Sequence, residues 1–431
     1  MPHLPDPASH LADAIGASPF PWQRRLLGEL LAGRVPRALD LPTGLGKTSV
    51  MAVWLVARAC RATHLPRRLV YVVDRRAVVD QATREAERLR AWATRPVIAA
   101  ALGDLPISTL RGQHVDNRRW LEDPSAAAIV VGTVDMIGSR LLFEGYGCSR
   151  KLRPLQAGLL GADAWFVLDE AHLVPPFERM VEAAVGDPAL RSAEAVIPPA
   201  RVLSLSATGR DHGEATFRLD QDDARHEVVA RRLNARKRLT IERLDAGVKL
   251  PEQLAARVAA LLDGAPDPVR VVVFCNLRDD AEKVKALLDR GPRPDRLRQA
   301  RTELFVGARR VRERTEAEAA LRELGFLAGS PRPAVDAVLV ATSAAEVGVD
   351  LDADHLVGDV VAWERLVQRL GRVNRRGEGD AQVTLLAAAD DPWVDRVEAL
   401  VNRLPELAGG GRSASPAALR SIGDPRAIAA A

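Results

Sequence analysis

A chain of 431 residues exceeds one ordinary hydrophobic core, so two main domains are expected. With 47% hydrophobic and 27% charged residues and no apolar run of bilayer-crossing length, the composition is that of a soluble globular protein, not a membrane or disordered one. The net charge of +4, from 61 basic and 57 acidic residues, permits nucleic-acid binding without arguing for it.

The first informative stretch is Leu41-Pro42-Thr43-Gly44-Leu45-Gly46-Lys47-Thr48. It follows a short strand ending at Arg37-Ala38-Leu39-Asp40 and precedes an apolar, helix-length run from Ser49 to Cys60. Gly44 and Gly46 let the backbone curl so that successive N–H groups face a polyphosphate. Lys47 reaches the β- and γ-phosphates, and the Thr48 hydroxyl suits Mg²⁺. Leu41 stands where the strict phosphate-loop pattern has glycine.

Further on, apolar runs at Leu69 to Val73, Ala128 to Val131, Trp165 to Leu168 and Arg201 to Leu205 read as buried strands of a first parallel sheet. Each ends in polar residues, where ligands sit in open α/β sheets. Trp165-Phe166-Val167-Leu168 runs into Asp169-Glu170-Ala171-His172. Two adjacent acids suit a nucleotide hydrolase, with Asp169 holding Mg²⁺ through water and Glu170 orienting the attacking water. The next strand ends in Ser204-Leu205-Ser206-Ala207-Thr208.

A second set of strands is expected at Arg270 to Phe274, Asp336 to Val340, Leu356 to Val361 and Gln382 to Leu386. Thr342 and Glu346-Val347-Gly348-Val349-Asp350 follow one of them. Gln368-Arg369-Leu370-Gly371-Arg372-Val373-Asn374-Arg375-Arg376-Gly377 closes the series. Guanidinium groups there suit charge on a transferring phosphoryl group. Residues 289–335 are rich in Arg and Pro. Arg309, Arg310, Arg312 and Arg314 fit a nucleic-acid groove less well than a solvated helix face paired with Glu313, Glu316 and Glu318. Gly409-Gly410-Gly411-Arg412-Ser413-Ala414-Ser415-Pro416 reads as a linker.

The ordered set Pro-Thr-Gly-Leu-Gly-Lys-Thr, Asp-Glu-Ala-His, Ser-Ala-Thr and Gln-Arg-Leu-Gly-Arg-Val-Asn-Arg resembles the superfamily 2 helicases, from about residue 20 to about residue 390. Within them, Tyr71 to Gln81, Val131 to Met136, Arg231 to Arg238 and Arg372 to Gly377 resemble the CRISPR-associated helicase of type I interference systems. The resemblance implies an α/β fold of two tandem RecA-like domains, expected over 1–240 and 241–390, with an extension or linker over 391–431. It implies an ATP- and Mg²⁺-dependent motor on single-stranded DNA, recruited to an RNA-guided CRISPR surveillance complex, with ATP between the domains.

By the same resemblance Phe20-Pro21-Trp22-Gln23 is an adenine-reading segment, with the Gln23 amide both donating and accepting. Trp22 fits a core aromatic equally well. Thr43, Asp350 and Gln368 join the nucleotide site, and Arg372 and Arg375 act as fingers from the second domain. His172, Ser206 and Thr208 couple that site to the nucleic acid. Arg75, Arg76, Thr133 and Thr342 lie on its track, although helix capping for Thr133 and plain surface charge for Arg76 fit as well.

Relatives of this kind carry a metal-dependent nuclease built on a His-Asp dipeptide. None of the eight histidines here is followed by Asp, so that nuclease is expected in a segment or subunit outside this chain, C-terminal to it in some subtypes. Three scattered cysteines, Cys60, Cys148 and Cys275, point to a reducing cytoplasm. Aromatics make up only 4%, so grip on nucleic acid is expected from N–H groups, hydroxyls and arginines. An RNA helicase or remodeller of the same superfamily and a non-hydrolysing ATP-binding docking module are the alternatives. RNA and DNA differ by the 2′-OH, which these motifs do not report. Intact Lys47, Glu170 and Arg372 oppose the docking module.

Overall fold

The computed structural model describes residues 6–422 apart from 75, 111–118, 191–196, 207–212, 291–294, 308–310, 328, 333 and 347, and leaves out the side chains of 76, 77, 190, 206 and 311–315. The chain divides into two compact units, 1–229 and 230–431.

The first unit holds a seven-stranded parallel sheet: β1 (Ala38–Asp40), β2 (Arg68–Val73), β3 (Ile107–Leu110), β4 (Ala128–Thr133), β5 (Ala164–Asp169), β6 (Arg201–Ser206) and β7 (Thr216–Arg218). The order across the sheet is β3-β4-β2-β5-β6-β1-β7. Strands β2 and β4 are buried along their whole length, and β5 along all but its last residue, as the continuous Val, Ile and Leu runs dictate for a sheet covered on both faces. The register sets Asp40 beside Ser206 and Asp169 beside Leu205. The ends of β1, β5 and β6 therefore share one edge of the sheet.

The second unit repeats the plan with β8 (Arg236–Arg243), β9 (Arg270–Phe274), β10 (Arg301–Phe305), β11 (Ala337–Ala341), β12 (His355–Asp359), β13 (Asp380–Ala387) and β14 (Arg412–Ser413), in the order β10-β11-β9-β12-β13-β8-β14. Only β14 runs antiparallel, against β8. Alternation along β9 sends Val272 and Phe274 into one apolar layer and Val271 and Val273 into the other.

The expected limit at residue 240 falls inside β8, which pairs over eight residues with β13 and so belongs wholly to the second sheet. The segment expected to be an extension or linker is part of that unit's core. Val394, Val397, Val401, Leu404, Ala414, Ala418 and Ile422 pack into it. Gly409, Gly410 and Gly411, at φ 83°, 87° and 77°, form the turn that brings β14 onto β8. A Cβ on Gly411 would stand 2.9 Å from Arg238 Cγ, so the glycine run serves close packing, not chain freedom. In the 289–335 region the chain forms β10 and a helix, Val311–Glu323. Among the described residues, no helix is long and apolar enough to cross a membrane.

Candidate active site

The phosphate loop leaves β1 and enters the helix Val50–Ala59 through one tight turn at Lys47–Ser49. Gly44 and Gly46 take φ 89° and 73°, the left-handed region where a side chain is strained. The Ser49 N–H donates to the Gly46 carbonyl at 2.9 Å, closing the turn. Gln23 braces it from the helix Pro21–Leu31: its amide nitrogen donates to Ser49 Oγ at 2.7 Å, and its carbonyl accepts from Phe20 N–H at 2.8 Å. Both ends of that amide are therefore engaged within the protein. Trp22 is fully buried, as a core aromatic would be.

Across the sheet edge, Lys47 Nζ lies 3.2 Å from Glu170 Oε1, with both side chains largely buried. Glu170 sits at φ 48°, which costs a non-glycine residue about 1–3 kcal/mol and is typical of a site where geometry is imposed. His172 Nδ1 lies 3.5 Å from the other Glu170 oxygen. Burial, reinforced by the neighbouring Glu170 charge, pushes the Asp169 carboxyl up to about 6. The Lys47 charge opposes that rise without cancelling it.

Tyr71, at the centre of β2, is a site residue that sequence reasoning does not single out. Its hydroxyl is buried close to the Thr48 and Asp169 side chains, yet it has no hydrogen bond of good geometry. Burial raises its pKa far above the ordinary value. The only signal in the sequence is that it is one of two tyrosines in the chain, set in an otherwise aliphatic strand. Two hard oxygen donors, an acid held above its ordinary pKa and an orphaned hydroxyl suit Mg²⁺ carried in on a polyphosphate. Among the described residues, no cluster of three His, Cys, Asp or Glu would hold a metal unaided.

Of the expected track residues in this unit, Thr133 is buried at the start of the helix Val134–Leu141, and its hydroxyl makes no cap bond there. Arg75 and Thr208 lie outside the described residues, as do the side chains of Arg76 and Ser206. Thr43 is half-buried in the loop.

In the second unit the helix Trp363–Leu370 carries Gln368 and Arg369, both buried. Arg369 donates to Glu346 at 2.9 Å and Asp359 at 2.7 Å, and lies over the Phe274 ring at 5.0 Å. Arg365 also pairs with Glu346, at 2.7 Å. Burial raises the Glu346 pKa, but Arg365 and Arg369 outweigh it and hold the carboxyl below its ordinary value.

Arg372, an expected finger, binds its own unit. Its guanidinium donates to the Glu346 carbonyl at 3.0 and 2.7 Å and to the Val349 carbonyl at 2.8 Å. Arg375 pairs with Asp350. The basic segments at 231–238 and 372–377 meet: Arg231 Nε donates to the Arg376 carbonyl at 3.2 Å. Gly377, at φ 71°, lies so close to the Arg231 main chain that a Cβ would collide with it. Lys237 is buried beneath and donates to the Leu370 carbonyl at 2.7 Å. Thr342 is buried just after β11.

Two α/β units, a phosphate loop, paired acids two strands away in the same sheet and an arginine-rich final motif are the arrangement of a DEAD/DEAH box helicase. The DEAD/DEAH box helicase family model matches residues 20–214, and the model for the C-terminal part of the CRISPR-associated nuclease/helicase Cas3 matches residues 268–378. The first half of the chain is thus similar to DEAD/DEAH box helicases and the second to the C-terminal part of Cas3. The CRISPR-associated helicase Cas3 of Thermoproteus tenax is 26% identical over 366 residues, covering 82% of this chain and 56% of that protein. Among solved structures, T. fusca Cas3 with ATP superposes with a TM-score of 0.66 at 18% identity, covering 97% of this chain and 53% of that one. The DUF1998 helicase MrfA bound to DNA and AMPPNP gives 0.61 at 16% identity, covering 95% and 54%. The chain thus spans little more than half the length of these relatives.

Proposed function

We propose that this chain is the motor part of a CRISPR-associated helicase: a nucleic-acid-stimulated ATPase that moves along single-stranded DNA after recruitment to an RNA-guided complex. The observation that carries the reading is the Lys47–Glu170 pair beside the buried Asp169, beyond the ends of β1 and β5 on either side of β6. N–H groups of residues 44–48 cradle the β- and γ-phosphates. Lys47 exchanges Glu170 for the γ-phosphate, which frees Glu170 to orient water in line with the phosphorus. Glu170 is thus held inactive by the lysine until nucleotide arrives. Thr48 and Asp169 are the residues that would hold Mg²⁺, whose charge when bound offsets that of the phosphate oxygens. Arg372 and Arg375 supply the remaining positive charge, Arg372 after release from its carbonyls and Arg375 after exchange with Asp350. Gln23, Thr43, Asp350 and Gln368 complete the nucleotide contacts. His172, Ser206 and Thr208 transmit its state, and Arg75, Arg76, Thr133 and Thr342 bind phosphates of the strand.

The test is ATP hydrolysis measured without nucleic acid, with single-stranded DNA and with single-stranded RNA of the same sequence, at one salt concentration. Strong stimulation by DNA alone is expected. Equal or greater stimulation by RNA would leave a general superfamily 2 RNA remodeller instead. DNA-bound MrfA and the ssRNA-bound DEAD-box helicase Mss116 both superpose with a TM-score of 0.61, so the fold supports a nucleic-acid motor and the hydrolysis assay decides between DNA and RNA.

A further inference from the structure

The chain is poor in aromatics, and those it has are mostly buried. The loop after the helix Val134–Leu141 is the exception. Leu142, Phe143 and Tyr146 are 59%, 59% and 60% exposed, and Leu155 follows at 42%. Two of the three exposed aromatic side chains among the described residues stand on this one loop, the third being Trp393.

The loop is built, not loose. Phe143 takes φ 64°, a conformation costing a non-glycine residue about 1–2 kcal/mol, and Gly145 and Gly147 take φ 57° and 67°. Ser139 O accepts from the Glu144 and Gly145 N–H groups at 2.8 and 2.9 Å, and Gly145 O accepts from Cys148 N–H at 3.0 Å. Arg140, only 1% exposed, props the loop from beneath, donating to the carbonyls of Met136 at 2.8 Å and Tyr146 at 3.2 Å. A strained backbone that presents a ring to solvent gains no burial for the fold. Such an outlier points to a ligand.

The surrounding charge selects the ligand. Arg150 and Lys151 are exposed just beyond the rings, and Arg153 is half-exposed. Glu144 is the one acid in 139–153, and it pairs with Arg153 at 3.4 Å. Exposed rings beside unopposed cations are the features of single-strand recognition, where bases stack and phosphates meet Lys and Arg. The helix Val134–Leu141 leads to the loop from Thr133. At about 1.5 Å per residue its eight residues span roughly 12 Å, so the loop lies within a few nucleotides' reach of Thr133.

We infer that Phe143 and Tyr146, with Arg150 and Lys151, form a base-stacking platform for single-stranded nucleic acid, next along the strand from Thr133. This rests on the reading above that the chain engages such a strand, and it adds a binding surface outside the helicase motifs.

The test uses a fluorescent oligothymidine and an oligonucleotide carrying 2-aminopurine, at fixed salt. In the wild-type chain, 2-aminopurine fluorescence is expected to fall on binding, the signature of a stacked base. Phe143→Ala with Tyr146→Ala should weaken anisotropy-measured affinity by about tenfold or more and abolish that quench, since each stacked base contributes roughly 1–3 kcal/mol. Phe143→Leu with Tyr146→Leu keeps the apolar area and should not rescue it. Trp393→Ala should bind as wild type. Arg150→Ala with Lys151→Ala should lower the slope of log affinity against log salt by roughly 0.7 for each phosphate no longer neutralised. Melting curves verify that each variant is folded. Unchanged affinity in the alanine pair, or full rescue by the leucine pair, overturns the platform alone; the leucine result would mark an apolar docking patch. Failure of the wild-type chain to bind any oligonucleotide overturns the platform together with the DNA reading.

Discussion

The two units share one fold, yet they use charge in opposite ways. In the first, Lys47 faces two acids, Asp169 is pushed up to about 6, and the Tyr71 hydroxyl has no partner of good geometry. In the second, buried Arg369, Glu346 and Asp359 form a network that the half-exposed Arg365 joins, and Arg372 is bonded to main-chain carbonyls. A cluster that leaves an acid raised and a hydroxyl unbonded is suited to receive a ligand. A satisfied one is suited to hold a motif in shape. The lesson is that arginines in a motif rich in charge can serve as braces, which composition does not reveal.

Four experiments would break or sharpen that contrast. The largest effect is expected at Lys47→Ala, which should abolish ATP binding and turnover. A variant that still hydrolyses ATP would end the phosphate-loop assignment. Glu170→Gln should keep ATP binding and lose turnover.

Second come the two fingers. Arg375→Ala should lower turnover by roughly 10³-fold or more, as expected for an arginine that stabilises a transferring phosphoryl group, while the protein melts normally. Arg372→Ala should lower turnover and melting temperature together, because it also removes three bonds to carbonyls. Equal melting temperatures for the two variants would erase the distinction between brace and finger.

Third, Arg369→Ala leaves Glu346 and Asp359 buried without it. A destabilisation of about 3–5 kcal/mol is expected from denaturant unfolding. A loss below about 1 kcal/mol, the scale of a surface pair, would show the network to be incidental.

The last concerns pH and Lys237, whose burial lowers its pKa from 10.5 to about 7. The unfolded chain keeps that amine protonated up to 10.5, so between pH 7 and 10.5 the unfolded state binds more protons and stability rises with pH. Lys237→Met should flatten this rise. An identical pH profile of unfolding free energy in both proteins would mean that Lys237 is not held neutral by the fold.

Much of the architecture is legible in the sequence. Nine strands are readable, β1 before the phosphate loop and eight others as continuous apolar runs, while the interior strand β8 is hidden in a basic run. The edge strands β3, β7, β10 and β14 are not. They are short, and an edge needs fewer apolar residues to pair. The glycine-rich tail reads as a linker because glycine signals chain freedom and tight packing with the same letter. The aromatics mislead in the same way: their scarcity argues against stacking, while their placement gathers two exposed rings on one loop.

Sequence alone determined the two-sheet plan and set the glycine-rich turn and the adjacent acids at strand ends, because each strand and turn is written in residues within a few positions of one another. Only the tertiary structure decided which of those charges remain available. Lys47 and Glu170 are 123 residues apart, and Lys237 reaches a carbonyl 133 residues away. Burial, pKa and hydrogen-bond satisfaction are set by such distant neighbours, and no local pattern encodes them.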